Sequence, residues 1–220
     1  MRGDNQKRPA EFGDGNSLKV FKIFRTIQGE GPNVGIPAVF VRLGGCNLAC
    51  NFCDTDFDDF DEIAINKILE NVLELATDRI KLIVLTGGEP FRQNIYPLCA
   101  LMIANGFKVQ IETNGTIYRD IPNDVEIICS PKVTNGKYSP IREDFLPKIS
   151  AFKFLVSDSL LEYSLIPDIG QQVYNTPVLV QPMDQFNDEL NQRNKRLAVE
   201  IVVNNGYRLS YQIHKELKIE

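Results

Sequence analysis

The chain lacks tryptophan and has one histidine, His214, so a centre built on several histidines is excluded. It lacks a basic excess. Lys and Arg number 24 against 29 Asp and Glu, a formal net charge of −5. A binder of the phosphate backbone carries the opposite balance, so no nucleic-acid partner is expected. No window approaches the roughly 18 consecutive apolar residues that span a bilayer, so no membrane is expected either. The first 17 residues are polar and lack the apolar stretch of a secretory leader. The expectation is a cytoplasmic protein. There is no internal repeat and no Ser/Gly/Pro linker, which points to a mobile tail over 1–17 and a single domain over 18–220. The five cysteines are an odd number. In a reducing compartment they read as thiols, metal ligands or catalytic groups rather than disulfides.

What is present is ordinary globular composition, with 43% hydrophobic and 24% charged residues over 220 positions. Short apolar, β-branched runs recur at Val20–Phe24, Val39–Leu43, Leu82–Leu85, Val109–Glu112, Glu126–Cys129, Phe152–Val156, Val178–Gln181 and Arg208–Gln212. Several are continuous rather than alternating, as in strands of a parallel sheet covered on both faces. Helical periodicity lies between them, over Ile63–Ala76, Gln93–Asn105, Ser159–Leu165 and Asp188–Val203. The alternation predicts an α/β fold. Residues 113–124 are too few for a full crossover helix, so the helices are abbreviated. About six parallel strands make a partial, incomplete parallel βα barrel, whose ligands sit at the carboxyl ends of the strands.

Cys46, Cys50 and Cys53 form C-x3-C-x2-C directly after the run Val39–Leu43. Three thiolates on one loop can converge on a soft metal centre and leave one coordination position open. The alternative reading of the same residues is a zinc site completed by His214 or a carboxylate. Cys99 and Cys129 fall inside a predicted helix and strand and read as small buried hydrophobes. LTGGEP (85–90), ETNG (112–115), SPK (130–132) and QPMD (181–184) each follow a predicted strand. Taken singly each is an ordinary turn. Together they mark one face. Asp54, Asp56, Asp58 and Asp59 read mostly as a solvated acidic loop.

C-x3-C-x2-C after a strand resembles the radical S-adenosylmethionine superfamily. The resemblance implies that Cys46, Cys50 and Cys53 hold a [4Fe–4S] cluster whose fourth iron binds S-adenosylmethionine. It implies a partial barrel of that superfamily's type. It also assigns S-adenosylmethionine contacts to Phe52, Asp54, Gly87, Gly88, Glu89, Ser130, Pro131, Lys132, Gln181, Pro182, Met183 and Asp184. Ile27–Thr55, beginning IQGEG, is similar more narrowly to the 7-carboxy-7-deazaguanine synthase family. That similarity implies a lyase that contracts the ring of 6-carboxy-5,6,7,8-tetrahydropterin and releases ammonia, in queuosine and 7-deazapurine biosynthesis. It implies substrate contacts at Ile27, Gln28, Gly29, Glu30, Arg42, Thr86 and His214, and Mg²⁺ held by Thr55. It implies no catalytic side chain, since the cofactors carry the radical chemistry. A one-electron donor such as a flavodoxin and a homodimer are implied with it. The physical reading of Arg42 agrees, because a guanidinium holds a carboxylate with two parallel hydrogen bonds. Two rivals stand beside this one. An activase of the same superfamily, making a glycyl radical on a partner, would share the cluster but not the pterin site. A zinc-stabilised binding module would lack catalysis.

Overall fold

A computed structural model describes residues 5–220 and groups the chain into two compact units that alternate along the sequence. The first unit holds residues up to 28, 35–113 and 117–126. The second holds 29–34, 114–116 and 127–220. The sequence pattern treats 18–220 as one piece. The division follows contact density, which no linker composition announces.

The first unit carries strands β1 (Ser17–Ile27), β2 (Pro37–Leu43) and β3 (Asp61–Ala64), then helix α1 (Ile65–Ala76). Strand β4 (Leu82–Gly87), helix α2 (Tyr96–Ala104) and strand β5 (Lys108–Thr113) follow. Strands β2, β4 and β5 are parallel neighbours. Val39, Val41, Ile83, Val84, Leu85 and Ile111 are fully buried, as the continuous apolar runs require. Strand β1 departs from the all-parallel expectation. It pairs antiparallel with β2, and β3 pairs antiparallel with β1. The cause is connection length: residues 28–36 are too few for the crossover that a parallel pair demands. Helix α1 buries Ile68, Val72 and Ala76, one face of the predicted stripe, and starts two residues late because β3 takes Asp61–Ala64. Helix α2 starts at Tyr96 rather than Gln93. Pro90–Arg92 form a separate 3₁₀ turn, and Pro97 fits the first turn of a helix.

The second unit carries β6 (Glu126–Cys129) from its second residue on, the short hairpin β7 (Val133–Thr134) and β8 (Lys137–Tyr138), and β9 (Ala151–Val156). Strand β10 (Val178–Pro182), helix α3 (Asp188–Asn205), strand β11 (Arg208–Leu209) and helix α4 (Ile213–Leu217) complete it. Strands β6, β9, β10 and β11 are parallel neighbours in that order. Helix α3 is capped by the Asn187 side chain, which accepts from the Leu190 N–H at 3.0 Å, and stops at Gly206 in the left-handed conformation. The predicted helix over Ser159–Leu165 is only a 3₁₀ turn at Leu161–Tyr163. The predicted strand Arg208–Gln212 ends at Leu209, and the short helix α4 follows it. As expected, no helix forms over residues 113–124.

The N-terminal stretch differs from a free tail. From Asn5 onward it is hydrogen-bonded to the first unit, through Arg8 N–H to the Cys46 carbonyl at 2.7 Å and Glu11 N–H to the Arg92 carbonyl at 2.7 Å. Residues 1–4, part of the predicted tail, lie outside the described residues.

Candidate active site

In the first unit the site is built by backbone. Parallel register sets Leu43, at the end of β2, beside Gly87, at the end of β4. The two loops that follow are stitched together. Gly88 N–H donates to the Leu43 carbonyl at 3.1 Å, and Glu89 N–H donates to the Gly45 carbonyl at 3.0 Å. A Cβ on Gly88 would stand 1.9 Å from the Gly45 oxygen, so no larger residue fits. The cysteine loop and the GGEP loop are thus held against each other by contacts that only glycine permits.

Cys46 is buried, Cys50 and Cys53 are half-buried, and none of the three is in a disulfide. Cys53 N–H donates to the Cys50 carbonyl at 3.1 Å, and Leu48 N–H donates to the Cys46 sulfur at 3.4 Å. Burial pushes the Cys46 thiol up to about 12, and the Glu89 carboxylate and the two neighbouring cysteines push the same way. Such a thiol ionises only when a bound cation compensates its charge. Among the described residues no three His, Cys, Asp or Glu side chains are already gathered as a metal site. The donor chemistry nonetheless fits an iron–sulfur cluster: three thiols outside any disulfide, on one loop without regular secondary structure, leaving a coordination position for a further ligand. Cys99 and Cys129 are fully buried, as small hydrophobes should be.

Glu89 is fully buried. Its Oε1 accepts from Thr113 Oγ1 at 2.7 Å and from the Phe91 N–H at 3.1 Å. Phe52 is half-buried and Asp54 exposed. Thr55 Oγ1 donates to Asp54 Oδ1 at 3.3 Å. Asp54, Asp56 and Asp59 are exposed, as a solvated loop predicts, but Asp58 is paired with Arg8 at 3.1 Å.

Register also sets Arg42 beside Thr86, two of the predicted substrate contacts. The Arg42 guanidinium lies 5.0 Å from the centroid of the Phe24 ring. Ile27 ends β1 opposite Pro37. Gln28 is buried and closes the connection, its N–H donating to the Ile36 carbonyl and its carbonyl accepting from Gly35 N–H. Its Nε2 reaches Glu112 Oε1 at 3.4 Å, and Gln110 Nε2 reaches the same oxygen at 2.7 Å. Glu112 thus joins this polar group. The sequence signal for it was its place at the end of β5.

In the second unit the matching segments are held largely by side chains, beside main-chain bonds such as that from the Met183 N–H to the Val156 carbonyl at 2.9 Å. Lys132 Nζ donates to the Ser130 carbonyl at 2.6 Å and to Ser130 Oγ at 2.7 Å, on either side of Pro131. Gln181 and Met183 are buried around Pro182 at the end of β10. Gln181 Oε1 accepts from Ser210 Oγ at 2.7 Å. Asp184 Oδ1 accepts from the Phe186 N–H at 2.9 Å and from Asn191 Nδ2 at 2.8 Å, while Oδ2 pairs with Lys215 at 2.8 Å. Partial burial alone would raise the Asp184 carboxyl, but these hydrogen bonds and the Lys215 charge hold it below the usual carboxylate range.

His214, on α4, is brought against Gly29. A Cβ there would meet the imidazole Nδ1 at 2.0 Å, and Ile213 N–H donates to the Gly29 carbonyl at 3.0 Å. Glu30 pairs with Lys153 at 3.1 Å, and the Lys153 side chain is 5% exposed. Sequence reading missed Lys153 because it sits inside the apolar run of β9.

The Radical SAM superfamily model matches residues 40–132. The 7-carboxy-7-deazaguanine synthase of Rickettsia prowazekii is 54% identical over 225 residues, covering 100% of this chain and 96% of that protein. The synthase of Rhodospirillum rubrum is 38% identical, covering all of both chains. The crystal structure of QueE from Escherichia coli matches at a TM-score of 0.71 and 27% identity, covering 89% of this chain and 94% of that one. The fold is the partial parallel βα barrel of radical S-adenosylmethionine enzymes. A backbone-built loop of three cysteines, in a chain 54% identical over its whole length to a 7-carboxy-7-deazaguanine synthase, makes the chain a member of the 7-carboxy-7-deazaguanine synthase family of the Radical SAM superfamily.

Proposed function

We propose that the chain is a lyase that converts 6-carboxy-5,6,7,8-tetrahydropterin to 7-carboxy-7-deazaguanine with loss of ammonia, in the cytoplasm. The supporting observation is the three-thiol loop locked to GGEP, in a chain 54% identical over its whole length to a named synthase. When bound, the cluster and S-adenosylmethionine would supply the one-electron, hydrogen-abstracting chemistry that the side chains cannot.

The roles of this chain's residues are positional. Cys46, Cys50 and Cys53 ligate the cluster as thiolates. Gly87, Gly88 and Glu89 shape the backbone beside them and, with Phe52 and Asp54, contact S-adenosylmethionine. Ser130, Pro131, Lys132 and the segment Gln181–Asp184 bind S-adenosylmethionine. Arg42 holds the substrate carboxylate, with Thr86 beside it in register. Ile27, Gln28, Gly29, Glu30 and His214 contact the pterin ring system. Thr55 contributes one oxygen to Mg²⁺, an ion that keeps most of its waters and takes few protein ligands. A flavodoxin-like one-electron donor would supply the cluster's electron, and the working form would be a homodimer.

Anaerobic incubation of the reconstituted chain with S-adenosylmethionine, a reductant, Mg²⁺ and the tetrahydropterin tests this. The expected products are 7-carboxy-7-deazaguanine and ammonia, and Cys50→Ala should yield neither while lacking the cluster's visible absorption. Iron and sulfide without this product would return the activase reading. Zinc without iron or sulfide would return the binding-module reading.

A further inference from the structure

The residues expected to form a tail run along the cysteine loop and touch it at both ends. Arg8 N–H donates to the Cys46 carbonyl at 2.7 Å, and Lys7 bridges to Cys46. Asn5 Nδ2 lies 3.8 Å from Cys53 Sγ and 2.9 Å from the Thr55 carbonyl. The Asp58 carboxylate takes the Gln6 N–H at 2.9 Å and Arg8 Nε at 3.1 Å. Beyond these residues the segment is anchored by Arg92, which is 1% exposed. Its Nη1 donates to the Pro9 carbonyl at 2.9 Å and to Glu11 Oε1 at 2.6 Å, and its Nη2 donates to the Gly44 carbonyl at 3.1 Å.

We propose that residues 5–11 are a strap that positions the cysteine loop for its cluster, with Asn5 as the positioning residue on the Cys53 sulfur. The proposal rests on the reading that Cys46, Cys50 and Cys53 are the cluster ligands. The geometry carries the proposal: the Asn5 amide is already within hydrogen-bond range of the Cys53 sulfur at 3.8 Å. Cys53 Sγ–H now donates to the Thr55 carbonyl at 3.4 Å. A ligating cysteine is a thiolate, which has no proton to donate and accepts hydrogen bonds instead. The Asn5 amide has two N–H groups, enough for the Thr55 carbonyl and the sulfur together. Donation to a ligand sulfur draws negative charge from it and favours the reduced, more negative cluster. At the other end the Arg8 amide fixes the backbone of Cys46. The strap thus holds the first and last ligands of the trio at a set spacing.

The test uses the full chain, reconstituted anaerobically with iron and sulfide, as wild type, Asn5→Leu and Asn5→Gln. Electron paramagnetic resonance at a fixed solution potential reads the ratio of reduced to oxidised cluster. A ferrous chelator reads the rate of iron release. Asn5→Leu is expected to lower the ratio by about two- to tenfold, the range of one lost hydrogen bond, and to release iron several-fold faster. Asn5→Gln, which keeps an amide donor, should recover most of both. The apoproteins should melt at the same temperature, separating the effect from general destabilisation. A ratio and a release rate in Asn5→Leu equal to wild type overturn the proposal, as does Asn5→Gln behaving like Asn5→Leu. A wild-type chain that takes up no iron and sulfide overturns the cluster reading itself, a result distinct from either.

Discussion

The two units build their strand-end loops by different means. In the first, the cysteine loop and the GGEP loop are joined main chain to main chain, through the Leu43 and Gly45 carbonyls and the amides of Gly88 and Glu89. In the second, side chains dominate at the end of β10 and just after it: Ser210 on Gln181, and Asn191 and Lys215 on Asp184, beside one main-chain bond from the Met183 N–H to the Val156 carbonyl at 2.9 Å. Backbone stitching fixes a loop to a fraction of an ångström and leaves no room for a Cβ. Side-chain contacts are individually weaker, and the Asp184–Lys215 pair is partly exposed and sensitive to protonation. The comparison teaches that substitution damage should be steep and all-or-none in the first region, graded and pH-dependent in the second.

The sharpest way to break that contrast is Gly88→Ala. A Cβ 1.9 Å from a main-chain oxygen cannot be relieved by a rotamer change. We expect loss of stability of about 4 kcal/mol or more in chemical denaturation, together with loss of iron uptake. Stability near wild type would show that the stitching is loose.

Lys153→Met comes next and probes a buried charge in the side-chain-built unit. It leaves the Glu30 carboxylate, 22% exposed, without its ammonium partner. The expected cost is roughly 3–5 kcal/mol, read by urea unfolding. Replacing both members with apolar residues should cost much less than Lys153→Met alone, because the penalty lies in the stranded charge.

Arg42→Ala should leave the cluster's visible spectrum intact and weaken substrate binding by about 2–5 kcal/mol, read by anaerobic calorimetry. Its guanidinium lies over the Phe24 ring, so a modest loss of stability should accompany it.

The smallest effect is expected at Lys215→Ala. In the folded chain the Asp184 carboxyl is held low, so the pair contributes stability above the ordinary carboxylate range. That contribution is lost as pH falls through the folded value. Removing Lys215 moves the loss to higher pH. At neutral pH the change should be about 0.2–1 kcal/mol, as the side chains are 31% and 22% exposed. Urea midpoints from pH 7 down to pH 3 read both. A pH profile unchanged from wild type would put the weight on Asn191 and the Phe186 amide instead.

Much of this was legible in the chain itself. Continuous apolar runs marked β2, β4, β9 and β10 because strands covered on both faces have no polar positions to spare. C-x3-C-x2-C and GGEP were legible because their spacing is local. The antiparallel β1 was not, since its run resembles those of the parallel strands and only the length of the 28–36 connection decides its direction. The hairpin of β7 and β8 was also missed, although Asn135-Gly136, both at positive φ, is a strong turn signal. Lys153 was hidden inside an apolar run, because its partner Glu30 is more than a hundred positions away.

By itself the sequence determined the chemistry: three thiols at fixed spacing, glycine pairs after strands, and one arginine closing an apolar run. These are properties of short segments, set by residue type and separation. Only the tertiary structure decided which distant residues meet them. The Gly88 amide reaches the Leu43 carbonyl, the Gly29 backbone meets the His214 ring, and Asn5 comes to the sulfur of Cys53. The reason is physical. Such contacts depend on where long chain excursions return, and that is fixed by burial of the whole core rather than by any local pattern.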